Sequence, residues 1–133
     1  MFQWCDDYSV KVPSIDAQHR KLVEMLNELH DGMTTGKGAE RLGTLLEGLV
    51  DYTVKHFAYE EQLFAEHGYP QAQAHISEHQ RLVTQVADFK QKFEAGQAHI
   101  NMQLMKFLKD WLIKHILGSD KAYSGYLVER GVK

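Results

Sequence analysis

Apolar residues recur at three- and four-residue spacing in four segments of the chain, and this periodicity constrains the fold more than any other feature. The segments are separated by short breaks, such as DGMTTGKG at positions 31–38. Such spacing places apolar side chains on one face of an α-helix, so the pattern predicts four amphipathic helices. Short connections between them favour an antiparallel up-down-up-down four-helix bundle. The predicted core faces are Ile15, Leu22, Met25, Leu26 and Leu29; Leu42, Leu45, Leu46, Leu49, Tyr52 and Leu63; Ile76, Leu82, Val83, Val86, Phe89 and Phe93; and Ile100, Leu104, Phe107, Leu108, Trp111 and Leu112.

Residues that form caps and turns mark the predicted helix ends. An extended leader covers positions 1–13, and Ser14 is the predicted N-cap of the first helix. The second helix is predicted over about 39–66, because Gly68 suits the left-handed position that follows a helix end. A short C-terminal helix is predicted through positions 123–127, and no segment has the alternation of a β-strand. The predicted fold class is therefore all-α.

Length and composition narrow the possible function classes. The 133 residues fit one domain, 1–133, and the net charge of −3 gives no electrostatic reason to bind nucleic acid or an anionic membrane. No apolar run is long enough to cross a bilayer. Cys5 is the single cysteine, which excludes an intramolecular disulfide, and the start MFQWCDDYSVKVP does not resemble a secretory signal. We therefore expect a cytoplasmic location, and we expect the protein to be a monomer.

Histidines and acids interrupt the apolar faces at a few positions. His56 and Glu60 are four residues apart, as are His75 and His79, so each pair lies one turn apart on a core face. His19 is in phase with the first core face, and His115 is in phase with the fourth. In an antiparallel bundle the starts of odd helices lie beside the ends of even helices. These groups should therefore meet at one level of the core.

Asp120 follows His115 by five residues, a spacing that a regular α-helix would place off the inner face. A helix end or a local wide turn near Gly118 could return Asp120 to that face. Five imidazoles and two carboxylates are too many ligands for one tetrahedral zinc ion, but they suit two metal ions bridged by carboxylates. The ligand types leave iron, manganese, zinc and copper open. A nitrogen-rich site favours mild redox chemistry, such as reversible binding of oxygen.

Five motifs follow one another along the chain: WCDDYSV (4–10), IDAQH (15–19), HFAYEE (56–61), HISEH (75–79) and WLIKHILGSD (111–120). In these motifs and their order the chain resembles the hemerythrins, in particular the single-domain bacteriohemerythrins. The resemblance implies two iron ions (Fe²⁺/Fe³⁺) with an oxo or hydroxo bridge, and reversible binding of dioxygen. It implies that three histidines complete the coordination of one iron, whereas two histidines leave an open position on the other. Two carboxylates would bridge the two irons. The implied ligands are His75, His79 and His115; His19 and His56; and Glu60 and Asp120.

Four apolar residues flank these ligands at helical spacing: Leu22, Trp111, Leu112 and Ile116. We expect them to form a dry pocket for dioxygen, which would discourage proton delivery to the centre. His30, His67 and His99 are interpreted as surface histidines. Glu61 and Glu78 point away from the ligand face. We therefore expect their carboxylates to contact solvent or a metal-ligating side chain rather than to bind a metal ion.

Three functions remain open after this step. The leading hypothesis is a non-enzymatic oxygen carrier. It would store oxygen or deliver it to oxygen-consuming enzymes. Oxygen or redox sensing and di-iron oxidase or peroxidase activity are the alternatives, although the sequence lacks the E-x-x-H pairs of ferritin-like di-iron enzymes. A module that buffers iron or zinc without redox chemistry is the third.

Overall fold

The computed structural model describes residues 4–36, 38–96 and 102–133. The described chain contains helices and no strand. It forms an all-α four-helix bundle with a short C-terminal helix, which confirms the predicted fold class. The helices are α1 (Pro13–Thr34), α2 (Ala39–His67), α3 (Ala72–Glu94), α4 (Met102–Lys114) and α5 (Lys121–Glu129); a π-helical turn, His115–Asp120, joins α4 to α5, and a 3₁₀ turn, Asp6–Tyr8, lies in the leader. Within these ranges no helix is long and apolar enough to cross a membrane.

Two apolar clusters fill the core of the bundle. The larger one lies along the middle of the four long helices, and includes Leu26, Leu46 and Met105. The smaller one joins the leader, the end of α2 and α5, and includes Phe64 and Tyr123. The buried histidines and acids lie where the larger cluster ends and the smaller one begins, as His19 does between Ile15 and Leu22 on α1. The predicted polar groups therefore form a layer between two apolar regions.

The π-helical turn is the irregularity that the spacing of His115 and Asp120 requires. A π-helix has more residues per turn than an α-helix, so two residues five apart can share a face. Both side chains are buried, at 2% and 0% exposure. The adjustment is therefore a local wide turn rather than a helix end, and α5 continues from it.

The start of α1 differs from the prediction. Val12 is the N-cap and Pro13 occupies the first turn, a position where a missing N–H costs nothing. Ser14 is not the cap; its Oγ accepts a hydrogen bond from the Tyr59 hydroxyl at 2.7 Å. The leader is also not fully extended, since it contains the 3₁₀ turn and a left-handed Lys11 with φ 61°.

Asp16 holds the leader against α1. Its carboxylate accepts hydrogen bonds from the Val10 N–H at 2.9 Å and from the Ser9 hydroxyl at 2.5 Å.

On α4 the predicted core position Phe107 is 40% exposed, whereas Met105, which was not predicted, is fully buried. Met105 is seven residues before Leu112, so it shares that residue's face. Ile100 and His99 lie outside the described residues.

Gly68 ends α2 in the predicted left-handed conformation, with φ 65° and ψ 38°. We expect Gly68→Ala to lower the free energy of unfolding by about 1–2 kcal/mol, because an L side chain is strained in this conformation. A Cβ there would meet only the Tyr126 hydroxyl at 3.8 Å, so strain rather than a clash is the expected cause. Chemical denaturation measures the change.

Gly125→Ala is the matched control, since Gly125 lies inside α5 and a Cβ there meets nothing within 4 Å. This variant should raise the free energy of unfolding by about 0.5–1 kcal/mol. Equal effects of the two substitutions would contradict the backbone explanation.

Candidate metal centre

All seven side chains that the sequence pattern singled out meet in the polar layer, and each is at most 5% exposed. Helices α1, α2 and α3 and the π-helical turn each contribute at least one of them. The residues are His19 from α1; His56 and Glu60 from α2; His75 and His79 from α3; and His115 and Asp120 from the π-helical turn.

Asp120 is the meeting point of three imidazoles. Its Oδ2 lies 2.9 Å from Nε2 of His19. Its Oδ1 lies 3.0 Å from Nε2 of His75 and 2.9 Å from Nε2 of His115. The carboxylate therefore spans side chains from α1, from α3 and from its own turn.

Glu60 occupies the corresponding place between two further imidazoles. Its Oε1 lies 3.0 Å from Nε2 of His56 and 3.4 Å from Nε2 of His79. Its Oε2 accepts a hydrogen bond from the hydroxyl of Tyr123, a fully buried residue of α5. The oxygen that faces the histidines is thus distinct from the oxygen that the phenol holds.

Several of the close contacts in this layer are not aligned hydrogen bonds. Six of the buried atoms that face one another have no hydrogen-bond partner: Nε2 of His19, His56 and His75, Oε1 of Glu60, and both carboxylate oxygens of Asp120. Buried polar atoms in native proteins are normally satisfied, so such a set calls for an explanation. Lone pairs that converge without pairing are the arrangement that bound cations would satisfy.

The donor atoms divide into two groups that share both carboxylates. Within each group all donor atoms lie within 4.8 Å of one another. The first group has three imidazoles and the second has two. The groups are His75, His79 and His115 with Glu60 and Asp120, and His19 and His56 with the same Glu60 and Asp120. Such a donor set fits two metal ions, one of them with a less complete ligand set.

Neighbouring side chains fix the orientation of two of the imidazoles. Nδ1 of His56 lies 2.6 Å from Oε1 of Gln18. Nδ1 of His115 lies 2.8 Å from Oε1 of Glu78, whose carboxylate also accepts the Ser119 hydroxyl at 2.6 and 2.8 Å. Because these oxygens accept, each Nδ1 donates a proton to its neighbour and each Nε2 faces the centre.

Glu78 contacts His115 but belongs to neither donor group, as expected from its position next to His79 in the sequence. Gln18 and Tyr123 were not predicted to contact the site. Gln18 precedes His19 in the sequence, which was a weak indication that Gln18 lies near the site. No spacing in the sequence indicates the contact of Tyr123. His30 and His67 are partly exposed and belong to neither group of donor atoms.

Charge pairing dominates the electrostatics of the metal-free layer. Burial and Asp120 oppose ionisation of Glu60, but His56 and His79 outweigh them and lower its pKa to about 2. Burial lowers the pKa of His115, but the negative charges of Asp120 and Glu60 beside it raise it to about 9. Burial raises the pKa of Asp120, but the charge of His115 holds it well below its usual range, so both carboxylates are ionised and His115 is protonated.

Apolar side chains surround the layer on the side of the larger core cluster. Leu22, Leu112 and Ile116 are buried, and the Trp111 ring stacks on His115 with centroids 4.6 Å apart. Leu22, Trp111 and Leu112 line an apolar cavity of about 40 Å³ between the four long helices. Ile116 is not part of its wall. Phe57 of the same cluster stacks on His79, with ring centroids 3.7 Å apart.

The fold and this layer define a four-helix-bundle protein with a candidate binuclear metal centre. Residues 10–127 match the family model described as the hemerythrin HHE cation binding domain. The chain belongs to the hemerythrin family, which confirms the resemblance seen in its motifs.

Individual relatives agree with this assignment. The chain is 41% identical to a bacteriohemerythrin of Stenotrophomonas maltophilia over 91% of this chain and 78% of the relative. It is 40% identical to a bacteriohemerythrin of Methylococcus capsulatus over 88% of each chain. A crystal structure of wild-type hemerythrin superposes with a TM-score of 0.89 at 38% identity, covering 94% of this chain and 95% of that one.

The charge state of His115 makes metal uptake sensitive to pH. Metal ions bind the neutral imidazole nitrogen, so binding between pH 7 and 8 should release the proton that His115 holds. We expect this released fraction to decline as the pH rises through about 9, where His115 is already neutral in the metal-free protein. Titration of weakly buffered, metal-free protein with Zn²⁺ and a pH indicator measures it.

His30→Gln removes a histidine outside the two donor groups and serves as the control. It should release as many protons as the wild type. Release that does not change with pH would contradict the charge state assigned to His115.

Proposed function

We propose that the protein binds two iron ions at this centre and binds dioxygen reversibly there, for storage or for delivery to oxygen-consuming enzymes. The observation that carries the proposal is the division of the buried donor atoms into two groups that share Glu60 and Asp120. Membership of the hemerythrin family supports it.

The unequal division of the imidazoles supports a binding role for one of the two positions. His75, His79 and His115 would hold one iron, and His19 and His56 would hold the other. With one imidazole fewer, the second position has room for a ligand from solution. Iron held by this nitrogen-rich set of residues would supply mild redox chemistry, suited to binding and releasing dioxygen.

The residues beside the centre favour release of dioxygen over further reaction. The cavity wall is apolar apart from Thr53, so it offers no strong acid to the centre. Leu112 and Ile116 are 7% and 1% exposed, and they exclude water from that side. An oxidase or peroxidase would need protons delivered to the reacting oxygen atoms, which such a wall hinders.

The proposal is tested by an anaerobic visible spectrum of the iron-loaded, reduced protein, recorded before air, after air and after removal of oxygen. We expect an absorption band that appears with air and disappears on deoxygenation over repeated cycles. Irreversible conversion on the first exposure, with turnover of oxygen or peroxide, would favour the enzyme alternative instead.

Two adjacent carboxylates provide a matched pair of variants. Glu60→Gln removes a shared donor and should abolish the reversible band. Glu61→Gln makes the same change in a side chain outside both donor groups and should leave the band in place. Loss of the band in both variants would show that the substitution acts through stability rather than through ligation.

Leu112 is expected to protect the oxygenated protein. Leu112→Ser introduces a hydroxyl into the apolar cavity and should shorten the lifetime of the oxygenated form by about tenfold, because water and protons then reach the centre. The decay of the visible band in air measures that lifetime. Leu117→Ser, at a residue 43% exposed, is the control and should decay like the wild type. An unchanged lifetime in Leu112→Ser would refute the protective role.

A further inference from the structure

The two donor groups differ in the charge of the side chain that orients one of their imidazoles. In the two-histidine group, His56 donates from Nδ1 to the amide oxygen of Gln18 at 2.6 Å. In the three-histidine group, His115 donates from Nδ1 to the carboxylate of Glu78 at 2.8 Å. The geometry of the two contacts is similar, but one acceptor is neutral and the other is an anion.

The environment of Glu78 favours its charged form. A glutamate carboxyl is ionised at neutral pH unless its surroundings oppose it, and hydrogen bonds such as those from Ser119 and His115 favour the ionised form. The side chain is 30% exposed, and Ser119 donates to both of its oxygens. Glu78 is therefore an anionic acceptor at neutral pH.

The charge of the acceptor affects how strongly an imidazole donates to a metal ion. A hydrogen bond to a carboxylate is stronger than one to an amide, and it withdraws the Nδ1 proton further from the ring. The ring becomes more basic and stabilises the more oxidised state of its metal. His115 should therefore be a stronger donor than His56.

We propose that the neutral charge of Gln18 is a functional requirement: it orients His56 at the two-histidine position without strengthening that imidazole as a donor, while Glu78 strengthens His115 at the other position. This inference rests on the proposed function. Gln18 and Glu78 are positioning residues, since each acts through a histidine. The consequence is that ferric iron is not favoured at the position open to dioxygen.

A purely structural role for Gln18 leads to a different expectation. Glutamine and glutamate have nearly the same shape, and either can accept the proton of His56. If orientation alone mattered, Gln18→Glu would leave the redox properties unchanged. The variant changes the charge of residue 18 but keeps its hydrogen bond to His56, so it distinguishes a role of the charge from a role in orientation.

The test compares reciprocal substitutions in the iron-loaded protein by spectroelectrochemistry, with the potential of the first oxidation step of the diferrous protein as the readout. Gln18→Glu should lower this potential and Glu78→Gln should raise it. Each shift should correspond to about a tenfold change in the equilibrium constant, or about 59 mV for one electron. Gln18→Glu should also shorten the lifetime of the oxygenated protein.

Gln80→Glu is the matched control, because it adds the same charge at an exposed position next to the ligand residue His79. Solvent screens a charge at that position, so a much smaller shift is expected. Circular dichroism and iron content establish that each variant is folded and loaded. If Gln18→Glu does not load, the rise expected for Glu78→Gln still tests the proposal.

Shifts of the same sign in both variants, no shift in either, or an equal shift in Gln80→Glu would overturn the role assigned to the charge of Gln18. In that case the wild type would still bind two irons and bind oxygen reversibly. A wild-type protein that fails to do so would contradict the proposed function itself, and this inference with it.

Discussion

Two carboxylates, Glu60 and Asp120, lie fully buried in the middle of a helical bundle, and much of the structure serves to make that burial possible. An isolated buried carboxylate would be very costly, and it persists only when charges or hydrogen bonds compensate it. Five imidazoles from four parts of the chain provide that compensation in the metal-free state. Apolar clusters on both sides of the layer exclude water, which strengthens each of these interactions.

The same constraint explains the irregular turn between α4 and α5. In a regular α-helix, Asp120 would point away from the residues that His115 faces. The π-helical turn brings both onto the inner face, and it also places Ser119 where its hydroxyl contacts Glu78. The local backbone irregularity therefore follows from the requirements of the site. π-Helical turns are rare, and they often occur at functional sites for this reason.

Much of the fold and of the site could be predicted because both follow helical periodicity. The i, i+4 pairs on α2 and α3 place their side chains on one face whatever the neighbouring helices do, so His56 and Glu60 were identifiable from spacing alone. The five-residue gap before Asp120 indicated a wide turn, although not its form. Details that depend on packing between helices were not predictable: the Tyr123–Glu60 hydrogen bond joins residues 63 apart, and the burial of Met105 rather than Phe107 depends on how α4 is rotated.

The asymmetry of the centre connects this structure to its proposed function. One group of donors has three imidazoles and an anionic outer acceptor, and the other has two imidazoles and a neutral one. The first arrangement suits a metal ion with a filled coordination sphere. In the proposed function, the second would leave room for a ligand from solution.

The central claim is that the seven buried side chains hold two metal ions with both carboxylates shared between them. The most direct test is a crystal structure of the iron-loaded protein with anomalous diffraction recorded at the iron absorption edge. We expect two anomalous peaks within the polar layer, one beside His75, His79 and His115 and one beside His19 and His56. A single peak, or peaks outside this layer, would contradict it.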